Sequence, residues 1–585
     1  MSSVSFAEKL SILEAIVKVP TYAVAGFTHG KLIYVTTQEG VRSLWLLDIK
    51  SGYKKKIAEG IWSVGDVIPR SPYVLYTKDV MRGREQHRAF IYNARTDETI
   101  EVESMPPQRI GGLAFDGNLF AVSGATQKSL SIWKINVHGE AEIIYETNRA
   151  IFVTSIENNI VGGIGFLSGD PKAMEMFFFD MKAQEFRVTT PKEGSTNKAP
   201  RIKNGKALFA TSALGNDRLL LYDIKTDRIC DVNLRFSDYN PDKYPQILSY
   251  DWLPDGRIWH IAEREGRSKV FVDGKLANLP EGYPVNVVMG DNKLYVTWSS
   301  LAKPARILAV DIKNESIEEV LADDLPEEIR SSLGDIRFIR YRSFDGLEIP
   351  AIVVESKKVG KPGPTIVYVH GGPFAHIADS WSIMITSLVA LGFHVIAPNY
   401  RGSTGYGEEF RRLIIGDPGG GELMDIVHAN KWAKESGLAD KIAIMGYSYG
   451  GYMTLLATGR HPDIWDAGVA GAAVADWEEM YELSDAMFRN FIEVLFAGKR
   501  ELYKERSPIT YVESVKVPLC IIQPQNDTRT PLKPVLNYVT RLMEYQKTFE
   551  LHVIPDMGHA IVRMDDAIKI LYPAIIFLES KLKQQ

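Results

Sequence analysis

Three residues late in the chain combine side-chain type and position in a way that suits acyl transfer: Ser448, Asp527 and His559. A serine hydroxyl becomes a strong nucleophile only when a base takes its proton and a third group holds that base in one tautomer. Ser448 lies in Gly446-Tyr447-Ser448-Tyr449-Gly450, a G-x-S-x-G pentapeptide. The pattern by itself is weak, and its setting carries the weight. The apolar run Ile442–Met445 precedes it and the helix-like run Met453–Thr458 follows. Strand, tight turn and helix in that order make a nucleophile elbow, which holds the hydroxyl clear of the sheet between small residues.

The base and the acid are expected after the serine, each in a loop beyond a strand. His559 ends Pro555-Asp556-Met557-Gly558-His559, five residues past the apolar run Leu551–Ile554. The rival histidines are His461, beside a proline at a helix end, and His552, inside a strand; neither has a loop to aim it. Asp527 follows the run Leu519–Ile522 in Gln523-Pro524-Gln525-Asn526-Asp527-Thr528-Arg529, with Asp476 and Asp556 as alternatives. Asp476 follows an earlier strand, and Asp556 would have to fold back on its own loop, so Asp527 is preferred. The developing oxyanion needs two N–H donors. One is expected from Tyr449, after the nucleophile. The other is expected from His370-Gly371-Gly372-Pro373-Phe374, directly after the run Ile366–Val369, where Pro373 has no N–H and Gly372 is the natural donor.

Those loops must hang from a parallel sheet. From about Gly334, short continuous apolar runs at 366–369, 394–397, 442–445, 519–522 and 551–554 alternate with helix-length segments such as Glu422 to Ser436. Such runs predict a doubly wound, mostly parallel sheet covered on both faces. The first half has another texture. Strand-like segments ending in Asp or Asn recur at 48, 93, 136, 180, 223, 273 and 311, steps of 38 to 50 residues. The clearest are Leu46-Leu47-Asp48-Ile49-Lys50, Leu221-Tyr222-Asp223-Ile224-Lys225 and Ala309-Val310-Asp311-Ile312-Lys313. A period in the low to middle forties with about four short strands per unit predicts seven β-propeller blades. The fold class expected is therefore two-domain: a seven-bladed β-propeller over residues 21–326 and an α/β-hydrolase over 327–585. Residues 1–20 stand outside the repeat. Within Ser2–Val19, Phe6, Leu10, Leu13 and Val17 have helical spacing, which predicts an amphipathic helix docked on the hydrolase part.

Composition excludes several classes. With 585 residues, 45 % hydrophobic and 24 % charged, the chain reads as globular. Lys+Arg 68 against Asp+Glu 73 leaves −5, no footprint for nucleic acid or an anionic membrane. The two cysteines, Cys230 and Cys520, match neither a disulfide framework nor a metal spacing. With no signal peptide or membrane-length apolar run at hand, a cytoplasmic protein is expected. There is no H-E-x-x-H, C-x-x-C or phosphate-binding G-x-x-x-x-G-K-[ST], so no metal or other cofactor is implied.

A propeller followed by such a hydrolase resembles the prolyl oligopeptidase family of serine peptidases, and within it the archaeal acylaminoacyl-peptidases (acylpeptide hydrolases). The resemblance runs along essentially the whole chain. It is carried by His370-Gly371-Gly372-Pro373-Phe374, by Pro398 to Gly407, and by the elbow continuing into Gly451-Tyr452-Met453. Asp476-Trp477-Glu478-Glu479-Met480-Tyr481, Asn526-Asp527-Thr528-Arg529-Thr530-Pro531 and Gly558-His559 complete it. It implies Ser448, Asp527 and His559 as the triad and Gly372 with Tyr449 as the oxyanion hole. It further implies release of an N-acylated residue from short peptides through an acyl-enzyme, cleavage of acyl esters, and homo-oligomers.

An apolar substrate pocket is expected between the sixth and seventh strands of the sheet, from Trp477, Met480, Tyr481, Phe488, Phe491 and Ile492 with Phe374; aromatics at helical spacing are as readily core. Arg529 is expected either to bind the acyl carbonyl or a nearby carboxylate, or to form a structural ion pair. Dipeptidyl-peptidase, oligopeptidase and carboxylesterase activities are the enzyme alternatives. The first needs paired acids for a free ammonium, for which Glu85 in the charged loop Arg82–Arg88 is the candidate. The non-enzyme alternative is a propeller scaffold with a dead hydrolase, against which the complete catalytic set speaks.

Overall fold

A computed structural model describes residues 5–583. The first half forms seven four-stranded antiparallel sheets, at 22–59, 61–101, 109–147, 151–189, 201–231, 246–276 and 283–321, each built from consecutive strands. The chain is thus a seven-bladed propeller followed by an α/β-hydrolase.

The repeated acidic marker has a local cause. It closes the third strand of six blades, at Asp48, Asn93, Asn136, Asp180, Asp223 and Asp311. In each, a side-chain oxygen accepts a backbone N–H two residues on, as from Lys50 to Asp48 (3.1 Å) and from Lys225 to Asp223 (3.1 Å). An Asx turn of this kind starts the hairpin into the outer strand. The sixth blade departs: Asp273 stands one residue past its strand, at φ 52°, beside Gly274 at φ 85°. Two consecutive positive φ values make a tight hairpin turn without a side-chain cap. The wide step before this marker comes from the long connection 232–245 between the fifth and sixth blades.

The ring closes without a shared strand. First and last blades pack through Tyr22, Phe27 and Tyr34 against Tyr295 and Ile307. Hydrogen bonds from Val24 N to Thr297 Oγ1 (2.8 Å) and from Asn286 Nδ2 to Val24 O (3.0 Å) stitch the seam. Across the axis, the Arg201 guanidinium of the fifth blade reaches Asp66 of the second (2.8 Å) and Asp251 of the sixth (2.6 Å).

The hydrolase sheet has eight strands: β1 (Leu333–Arg342), β2 (Glu348–Ser356), β3 (Gly363–Val369), β4 (His394–Pro398), β5 (Ala439–Tyr447), β6 (Ala467–Gly471), β7 (Leu519–Pro524) and β8 (Phe549–Ile554). Their order is β1-β2-β4-β3-β5-β6-β7-β8, antiparallel at β1-β2 and β2-β4 and parallel from there on. Both faces are covered. One core gathers Ile444, Tyr452, Leu455 and Trp477, and the other Leu388, Val395, Ile522 and Leu571.

The N-terminal helix Phe6–Val17 lies on this second face, against helices Met564–Leu582 and Ile383–Ala390. Ser5 caps it in a reciprocal pair with Glu8. The buried stripe differs from the one expected. Lys9, Ile12, Leu13, Ile16 and Val17 are buried, whereas Phe6 is exposed, because the ridge that meets the C-terminal helix is one position off. Lys9 ends its buried stem in an ion pair with Glu579. Residues 2–4 of the expected helical stretch lie outside the described residues. Among the described residues no helix is long and apolar enough to cross a membrane.

Candidate active site

Strand β5 ends at Tyr447, and the helix Tyr449–Arg460 begins two residues later, so Ser448 alone makes the turn. Its backbone takes φ 60° and ψ −121°, a conformation that costs a non-glycine residue about 1–3 kcal/mol. The flanking glycines exist for space. A Cβ on Gly450 would lie 2.0 Å from Val369 O, and one on Gly446 would lie 2.4 Å from the Gly450 backbone. Close approach of helix, β5 and β3 holds the strained turn in place.

The loops after β7 and β8 bring the other two residues to it. His559 Nε2 is 2.9 Å from Ser448 Oγ, and His559 Nδ1 is 2.7 Å from Asp527 Oδ2. Asp527 is buried and fully hydrogen-bonded: Oδ1 accepts from Arg529 N (2.8 Å) and Thr530 N (2.9 Å), and Oδ2 from Thr530 Oγ1 (2.8 Å). Burial raises its pKa, but the His559 charge and these hydrogen bonds outweigh burial and hold it below the usual carboxylate range. The Tyr447 hydroxyl donates to His559 O at 2.9 Å, tying the histidine loop to the strand that leads into Ser448.

The loop after β3 covers the serine. A Cβ on Gly371 would be 3.3 Å from Ser448 Cβ, and Gly372 sits at φ 123°. Among the described residues, neither the Gly372 nor the Tyr449 N–H has a protein acceptor. The loop is held from behind, since Tyr400 donates to His370 O (3.1 Å) and His370 Nε2 meets Ser403 Oγ (2.9 Å). Tyr449 is braced by a hydrogen bond from its hydroxyl to buried Glu422 (2.7 Å), whose pKa burial pushes up to about 7.

The rival residues are placed elsewhere. Asp476 caps the helix Trp477–Leu483, accepting from Glu478 N at 2.9 Å, and Asp556 is exposed beside Arg82. His461 ends the elbow helix, and His552 lies on the edge strand β8.

The expected apolar pocket divides in two. Phe374, Phe488 and Phe491 are half-buried; Phe374 meets Phe491 edge to face with ring centroids 6.3 Å apart, and Phe488 meets Phe491 at a tilt, 6.0 Å apart. Trp477 and Ile492 must be corrected: at 1 % and 0 % exposure they offer a ligand no surface. Trp477 fills the space behind the elbow helix, against Tyr452 and Phe496. Met480 is buried there too.

Arg529 makes an ion pair across the domains. Its Nε donates to Glu85 at 2.7 Å, and Glu85 is also bound by Arg109 of the third blade. Arg109 continues to Asp485 (2.5 Å) and Thr528 (2.9 Å) and stacks over Phe488. The propeller loop that carries Glu85 also touches the loops of both Asp527 and His559. Asn526 Nδ2 donates to Arg82 O (2.7 Å), and Gly83 packs so closely on Gly558 that a Cβ on Gly558 would overlap Gly83 O. Arg109 and the Gly83–Gly558 contact were not found by sequence reasoning; no motif marks them, because each joins positions hundreds of residues apart.

Comparisons with known proteins agree with this architecture. Residues 380–585 match the prolyl oligopeptidase family, and residues 33–308 match the N-terminal domain of acylamino-acid-releasing enzyme-like proteins. The chain is 28 % identical to dipeptidyl aminopeptidase BIII of Pseudoxanthomonas mexicana over 63 % of its length and 55 % of the relative's. It is 24 % identical to acylamino-acid-releasing enzyme 1 of Oryza sativa subsp. japonica over 62 % of its length and 46 % of the relative's. The chain thus spans about half the length of these relatives. In fold it is similar to the Pyrococcus horikoshii acylaminoacyl peptidase, with TM-score 0.71, 18 % identity and 98 % coverage of both chains.

Proposed function

We propose that the chain is a member of the prolyl oligopeptidase family, whose model matches residues 380–585, and a serine exopeptidase releasing an N-acylated amino acid from the blocked end of short peptides. Ser448 Oγ attacks the scissile carbonyl while His559 Nε2 takes its proton. Asp527 keeps the proton on Nδ1 and stabilises the imidazolium. The N–H groups of Gly372 and Tyr449 receive the oxyanion. His559 then protonates the leaving amine, and water, activated by the same histidine, releases the acyl group from Ser448. Acyl esters follow the same route with an alcohol as leaving group.

The choice of an acylated N-terminus rests on one observation: the acids near the triad are already paired. Glu85 is bound by Arg109 and Arg529, and Asp485 by Arg109. A free substrate ammonium needs an uncompensated carboxylate in a buried site. A neutral acyl group does not, and it fits beside half-buried Phe374, Phe488 and Phe491. The similarity to a dipeptidyl aminopeptidase supports the second reading, removal of dipeptides from a free N-terminus.

One digest separates the two. A short peptide is offered in N-acetylated and free-amine forms, and products are read by mass spectrometry. Release of the acetylated first residue from the blocked form alone is the expected result. Dipeptide release from the free form would replace this reading with the second, and hydrolysis of aryl esters alone would make the protein an esterase.

A further inference from the structure

Away from the triad, the edge of the hydrolase sheet collects three donors of different chemistry. Cys520 on β7 stands in register with Glu550 on β8, and His552 follows two residues on, so all three project to one face. Their donor atoms lie within 4.8 Å of one another, and Glu550 Oε2 is 3.4 Å from His552 Nε2. A tetrahedral Zn²⁺ with Zn–N near 2.0 Å and Zn–S near 2.3 Å sets its ligands about 3.5 Å apart. The Glu–His pair already has that spacing. The remaining contraction toward sulfur falls on side chains free to rotate, since Glu550 is 51 % and His552 39 % exposed. Glu550 and His552 line an open groove of about 640 Å³ between β8 and the C-terminal helix, with Lys569 and Tyr572 opposite. Lys569 is engaged by Asp566 at 2.8 Å.

We propose that Cys520, Glu550 and His552 bind a divalent transition-metal ion of borderline softness, Zn²⁺ first, with water from the groove as the fourth ligand. Thiolate and imidazole select such an ion over Mg²⁺ or Ca²⁺. Burial, then the Glu550 charge, push the Cys520 thiol up to about 12, so it holds its proton in the free protein. The metal–sulfur bond replaces the S–H bond, and that proton leaves to solvent. The site has a structural consequence. β7 and β8 carry the loops of Asp527 and His559, and β8 has a neighbour on one side only. A metal bridging them fastens the last strand of the sheet and thereby the two catalytic loops.

Metal-stripped protein carrying Cys230→Ser, which leaves Cys520 as the only thiol, is titrated with Co²⁺. A thiolate-to-Co²⁺ charge-transfer band with tetrahedral d–d absorption, displaced by Zn²⁺, is expected. Cys520→Ala removes the band. Should that variant fail to fold, His552→Gln at the sheet edge is expected to weaken Co²⁺ binding by at least about tenfold, the loss that even outer ligand partners produce. Zn²⁺ is also expected to raise the melting temperature of the Cys230→Ser protein and not that of the variants. The absence of a thiolate band, or a band and Zn²⁺ stabilisation unchanged in either variant, would overturn the proposal.

Discussion

At the residue scale, the proposed chemistry rests on a strained serine and a saturated aspartate. Ser448→Ala leaves the backbone of the elbow in place and removes the proposed nucleophile. Turnover of an acetylated peptide should fall by several orders of magnitude with the melting temperature nearly unchanged. Turnover within tenfold of wild type would remove Ser448 from the mechanism. Asp527 carries a pH signature. Its pKa is lower folded than unfolded, so its contribution to stability is complete above the unfolded value, about 3.9, and is lost as pH falls from there through the folded value. Thermal unfolding of wild type and Asp527→Asn across about pH 3 to 6 should therefore show the gap narrowing on the acid side. A gap constant with pH would mean that the carboxylate is not held by charge. Ser448, Asp527 and His559 were legible in the chain because each follows an apolar run at a fixed short distance. Arg109 was not, because it lies 376 residues from Asp485 and 419 from Thr528.

At the element scale, sequence periodicity shows that a segment is helical more securely than it shows what the helix touches. Trp477 and Phe488 both sit on helices after β6 with similar spacing, yet one is core and the other half-buried near the site. Trp477→Ala should cost about 3–5 kcal/mol of stability, as large aromatic deletions in cores do. Phe488→Ala should act mainly on KM for peptides with an apolar first side chain. The two are separated by measuring melting temperature and kinetics side by side; a KM effect of Trp477→Ala without loss of stability would restore it to the pocket. The N-terminal helix teaches the same point. Phe6, Leu10, Leu13 and Val17 and the observed Ile12, Leu13, Ile16 and Val17 are both helical stripes, and only packing against the helices Met564–Leu582 and Ile383–Ala390 selects between them. The propeller markers were readable because an Asx turn is local, closed within three residues.

At the scale of the whole molecule, the propeller is a working part of the site. Its loop 80–86 supports the loops of both Asp527 and His559, and Glu85 pairs with Arg529 and, together with Asp485, with Arg109. Glu85→Ala leaves Arg529 without its carboxylate, whereas Arg109 keeps Asp485; breaking a fully buried pair typically costs about 3–5 kcal/mol, and the partial exposure of Arg529 puts this loss below that range. The expected result is a lower melting temperature together with reduced kcat, reported by unfolding and by peptide turnover. Full activity and stability in this variant would show that the hydrolase is indifferent to the propeller. The sequence by itself determined the fold class and pointed to the three residues proposed as the triad, because strands, turns and elbows arise from interactions within a few residues. Tertiary structure decided which aromatics face the site, which helix stripe is buried and what neutralises Arg529. Those outcomes depend on surfaces brought together from distant parts of the chain, where packing and the cost of an unpaired buried charge act between residues that no sequence interval connects.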